Sequence, residues 1–144
     1  CPSGHQLQII DDDQRQAVDR EAHADCLSLL EARRGRLRGV MHCYSGSYET
    51  ACRLIELGFY IGFGGALTFK NAVHQRDVAS RLPLERLVIE TDCPYMTPVP
   101  YRGKRNDPSY LSCTRDVLAS IRGLDADELG AILTENGKRL YGLA

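Results

Sequence analysis

No stretch of this sequence approaches the roughly 18 uninterrupted apolar residues of a membrane-crossing helix, and no secretory signal is visible. Low-complexity tracts are also missing, which sets the chain apart from disordered and fibrous classes. Net charge is nearly absent, at a formal −1. Neither a polyanion nor a membrane surface is drawn to the molecule as a whole, so a phosphate would have to be met by a local cluster. No CxxC pair or zinc-like spacing occurs among the six cysteines, Cys1, Cys26, Cys43, Cys52, Cys93 and Cys113. Several fall inside expected helices or strands, where a thiol behaves as a small hydrophobe. A reduced, cytoplasmic setting is therefore expected. With 144 residues there is room for one domain with a real core, and too little for most two-domain arrangements. The opening Cys1, in place of Met, implies a start further upstream or a processed terminus.

What is present centres on Arg86-Leu87-Val88-Ile89-Glu90-Thr91-Asp92-Cys93-Pro94. The short apolar run Leu87–Ile89 has the length and β-branching of a fully buried strand. It ends in two carboxylates, and Pro94 forbids its continuation. A strand that delivers Asp92 at its C-terminal end puts a hard ligand or a general base where α/β folds keep their chemistry. The competing assignment is an Asx turn.

Residues 1–19 are irregular and polar, and Asp11-Asp12-Asp13 reads as a solvated charge run, lacking the spacing of a calcium loop. From Glu21 to Arg33 the apolar positions Ala22, Cys26, Leu29 and Leu30 recur at helical spacing. Gly39 to Tyr44 reads as a strand, Ser47 as the cap of a helix ending at Gly58, and Phe59 to Gly65 as a further strand. A helix from about Lys70 to Leu82 precedes the central strand. After Asp92 comes a long proline-stiffened loop ending in Arg102-Gly103-Lys104-Arg105-Asn106. Asp107-Pro108 opens the next helix. Asp125 and Glu128 form a capping-box pattern for a last helix expected to end near Asn136-Gly137. Strand–helix repeats of about 25 residues define an α/β fold of consecutive parallel βα units.

In such a sheet His42 and Asp92 share one rim, and imidazole nitrogen with carboxylate oxygen suits zinc, manganese or magnesium. A Cys–His nucleophile pair from Cys43 and His42 competes. Alternation along a strand sends the two side chains to opposite faces unless the strand has already ended. The cations and amide of Arg102, Lys104 and Asn106 suit phosphate oxygens. Phosphoester hydrolysis fits this combination, because a metal acidifies a bound water and neutralises phosphate, while Asp92 orients or deprotonates the water.

The segments from Val40 to Ser47, Glu56 to Gly65, Pro83 to Pro94 and Arg102 to Asn106 together resemble the TatD family of metal-dependent deoxyribonucleases, from about Arg20 to the C-terminus. The resemblance implies the C-terminal half of a TIM (β/α)8 barrel with a divalent-metal pocket, and hydrolysis of DNA from a 3′ end. It makes His42 and Asp92 the metal ligands and connects the Arg102–Asn106 loop with DNA or phosphate. Two departures stand out. The family's opening His-X-His strand and later glutamate ligand are not in this chain, and Val18 stands where another histidine ligand belongs. A full barrel needs about 250 residues, so 144 leave an open sheet edge. Self-association or a missing N-terminal half is the expected remedy. Competing with the nuclease are an inactive half-barrel that binds nucleic acid or phosphate, and a hydrolase of another ester or amide.

Overall fold

The structure, a computed structural model, describes residues 17–18 and 23–143; the Asp11–Asp13 run lies outside them. Among the described residues four strands form one sheet in the order β1-β2-β3-β4, every pairing parallel. They are β1 (Ala17–Val18), β2 (Val40–His42), β3 (Tyr60–Phe63) and β4 (Leu87–Ile89). Helices α1 (His23–Glu31), α2 (Tyr48–Glu56) and α3 (Val73–Arg81) connect them in turn. After β4 come the long loop, a 3-10 turn at Pro108–Tyr110, α4 (Leu111–Arg122) and α5 (Ala126–Tyr141).

The period of two along each strand divides the side chains between two faces. Met41, Ile61, Phe63 and Leu87 join Ala51, Leu54, Val78, Ala79 and Leu118 in the main core between sheet and helices. Each large side chain buried there contributes about 2 kcal/mol before chain entropy is counted. The other face carries Val40, Tyr60 and Val88, which pack with Leu140 in a smaller cluster. One step further along the same strands, that face presents His42, Gly62 and Glu90. An apolar layer thus lies beneath a polar one, and the polar layer is at the strand ends.

Local signals set most boundaries. Ser47 accepts a hydrogen bond from the Thr50 amide at 3.2 Å and caps α2. Asp107 accepts from Ser109, and Asp125 from both Asp127 and Glu128. Arg122 of α4 donates to the carbonyls of Ala79 and Leu82, closing the open end of α3. One boundary differs from expectation. Helix α5 does not end near Asn136-Gly137 but runs four residues beyond Gly137, until Gly142 takes φ +67°. The Asn136 side chain is buried and turned to the sheet, where its amide donates to Leu84 and Leu87 carbonyls at 2.7 and 2.8 Å. Those tertiary bonds, with Leu133 and Leu140 buried on either side of it, hold the helix through a sequence that otherwise signals a stop.

Candidate metal centre

His42 is the last residue of β2, and Asp92 stands three residues past the end of β4. The parallel sheet brings both to one rim, with His42 Nε2 2.9 Å from Asp92 Oδ1. Both are mostly buried, at 16% and 15% side-chain exposure. On the far side of the ring, Nδ1 lies 2.6 Å from Glu90 Oε2. Nδ1 is buried and off the line of a hydrogen bond, so that contact is a charge contact. The other Glu90 oxygen accepts the Cys43 amide. Glu90 thereby ties β4 to the end of β2 and orients the imidazole, as a carboxylate behind a ligating histidine does.

Two glycines make the space. A Cβ at Gly62 would stand 2.5 Å from Glu90 Oε2, and one at Gly64 3.3 Å from Asp92 Oδ2. Both carboxylates therefore lie against bare backbone, in β3 at Gly62 and just past its end at Gly64.

Flanked by two carboxylates, His42 has its pKa pushed up to about 12. The hydrogen bond to Asp92 is the largest cause, followed by the contacts with Cys43 and Glu90, and burial opposes them. Two carboxylates beside one imidazole favour positive charge at this point. Cys43 Sγ lies 3.6 Å from His42 Nε2 and donates to Asp92 Oδ2 at 2.8 Å. Donor atoms of His42, Cys43 and Asp92 all lie within 4.8 Å of one another, the compactness a divalent ion requires. Imidazole and carboxylate donors at this spacing fit such an ion.

Cys43 meets the exception that the sequence reasoning allowed. The strand stops at His42, and Cys43 turns to φ +50°, which brings its thiol back beside the histidine. Alternation therefore does not separate the pair. What counts against thiol catalysis is burial, which pushes the thiol pKa up to about 11.

The loop after Asp92 is ordered by its own side chains. Asn106, expected as a phosphate contact, is buried; it donates to the Tyr95 carbonyl at 2.6 Å and accepts from the Asp107 amide. Its amide is engaged within the loop. Thr97 donates to the Lys104 carbonyl, and Tyr101 stacks on Tyr110 with ring centroids 4.2 Å apart. Arg102 and Lys104 are exposed, with their charges over the rings of Phe69 and Tyr101. Val18 lies level with His42 in the β1–β2 register. Glu90 was absent from the expected site, although its signal was legible: two residues before Asp92, on the same side of an extended segment.

Parallel βα units with a metal-type donor group at the strand ends define a partial barrel of the metal-dependent hydrolase type. The family model described as TatD related DNase matches residues 19–142, and the chain belongs to that family. The chain is 42% identical to the uncharacterized metal-dependent hydrolase YabD of Bacillus subtilis, over 85% of its own length and 49% of that protein. It is 44% identical to the similarly described YcfH of Escherichia coli, over 85% of its length and 46% of that protein. The crystal structure of YjjV, a TatD homolog from Escherichia coli, superposes with a TM-score of 0.80 at 34% identity, over 88% of this chain and 49% of the other. The chain spans about half the length of the curated relatives it matches.

Proposed function

We propose that this chain is the metal-holding half of a hydrolase that cleaves DNA phosphodiesters, releasing nucleotides from a 3′ end. The observation that carries the reading is the convergence of His42 and Asp92 at 2.9 Å, with Glu90 orienting the histidine from behind. His42 and Asp92 would hold a magnesium, manganese or zinc ion. When bound, such an ion acidifies water and screens phosphate charge. Asp92 has a second oxygen, now accepting from Cys43, with which to orient a water or take its proton. Arg102 and Lys104 supply exposed cations for the phosphate backbone, on a loop whose base Asn106 fastens beside Asp92. The family description supports DNA as the substrate. Five free cysteines among the described residues support a reducing, cytoplasmic setting.

The test is nucleotide release from a short 3′-labelled single-stranded DNA with magnesium, manganese or chelator, beside Asp92→Asn. The expected result is metal-dependent release that falls by roughly 100-fold or more in the variant. Release that persists in chelator, or in Asp92→Asn, would sink the reading. A second reading, a nucleic-acid-binding module without turnover, is favoured by Val18 at the position level with His42. It predicts DNA binding that Asp92→Asn leaves unchanged and no release under any condition.

A further inference from the structure

The turn that leaves the candidate metal centre carries an aromatic side chain in solvent. Tyr95, three residues past Asp92, is 74% exposed, and Met96 and Val99 on the same loop are exposed as well. Among the described residues these are three of the six large apolar side chains that stand exposed. One such residue is ordinary on any surface, but three within five positions make a local apolar patch. The backbone beneath the patch is fixed. The Tyr95 amide donates to the Asp92 carbonyl at 2.7 Å, and the Tyr95 carbonyl accepts from the Asn106 side chain at 2.6 Å. Met96 is held at φ +56°, a conformation that residues other than glycine rarely adopt. Its carbonyl stands so close over Gly65 that a Cβ there would collide with it. The same loop ends in the exposed cations Arg102, Lys104 and Arg105, in a chain whose formal net charge is −1.

We infer that Tyr95 is a stacking platform for a nucleobase of single-stranded nucleic acid, presented beside Asp92 while the cations of the loop take the backbone. The inference rests on the DNA reading proposed above and adds to it the contact that meets a base. Single-stranded nucleic acid offers flat apolar faces and a row of negative charges, and an exposed ring next to exposed cations complements both. A duplex keeps its bases stacked inside and leaves the ring idle, and an apolar protein surface leaves the cations idle. Because the turn is already formed, little ordering is left for binding to impose. Every base has a π-face, so a tyrosine here selects unpaired strands and not a particular sequence.

The experiment measures binding of a short single-stranded DNA to the full 144-residue chain in chelator, so that no cleavage intervenes. Tyr95→Ala should weaken binding roughly tenfold, and Tyr95→Phe should bind as the parent chain does. Both should keep the parent's melting temperature, since the ring is exposed. A matching oligonucleotide with abasic 3′-terminal positions should bind the parent and Tyr95→Ala alike. The chain has no tryptophan, so Tyr95→Trp installs a single indole whose emission the DNA should quench. Equal binding of ordinary DNA by the parent and Tyr95→Ala, an alanine penalty that abasic DNA shares in full, or an indole that DNA leaves unchanged would each overturn the proposal. So would self-association through the patch, seen as a dimer by light scattering that Tyr95→Ala returns to monomer. Nucleotide release is read separately with metal. The stacking pattern without release would sink the hydrolase reading and leave this contact standing.

Discussion

At the scale of residues, one histidine between two carboxylates governs how the centre responds to pH. An ion held by His42, as proposed above, has to displace the histidine's proton, so affinity should rise with pH by up to about tenfold per unit. Without metal the sign reverses. The native pKa, about 12, lies above the ordinary 6.5. Above that ordinary value the native state binds more protons than the unfolded one, and each further rise in pH favours unfolding. The stabilisation is complete below about 6.5 and is lost as pH climbs toward 12. Calorimetric titrations with manganese at successive pH values, paired with urea melts of the metal-free chain, should therefore show opposite slopes. Parallel slopes would show that His42 is not the group that exchanges proton for metal.

At the scale of elements, α5 shows tertiary contacts overriding a local signal. Asn-Gly reads as a helix end, because both residues favour turn and left-handed conformations. Here Asn136 instead satisfies two buried carbonyls at the start of β4 and the turn before it. Asn136→Leu keeps the size and removes the donor, leaving both carbonyls without it. The expected loss is about 2 kcal/mol or more in denaturant unfolding. An unchanged midpoint would mean that water reaches those carbonyls. The caps at Ser47, Asp107 and Asp125 were legible in the sequence because each acts within three residues of itself. The partner of Asn136 is about fifty residues away in the chain, and no local pattern encodes that pairing.

At the scale of the molecule, a few donors gathered from two strands link metal to stability. An ion that binds only the folded arrangement stabilises it by about 2.7 kcal/mol at a hundredfold excess over its dissociation constant. For a domain of this size that is a rise of roughly 5–10 °C in melting temperature. The rise should disappear in Asp92→Asn; a shift that survives the substitution would place the ion elsewhere. Among the described residues no helix is long and apolar enough to cross a membrane, in line with the scattered apolar positions of the sequence. Among the described residues no strand pairs with the outer edge of β4.

The sequence alone determined the succession of parallel strands and helices, the family, and the placing of His42 and Asp92 at strand ends. Each of these rests on short-range pattern: apolar runs of strand length, caps a few residues from the helix they start, and a carboxylate followed by proline. Tertiary structure decided what lies between the strands. It brought Glu90 behind His42, turned Cys43 back beside the histidine, engaged Asn106 within its own loop and carried α5 past Asn136-Gly137. Each outcome depends on a partner far away in sequence, or on one residue leaving the regular geometry of its strand. Spacing along the chain carries neither kind of information.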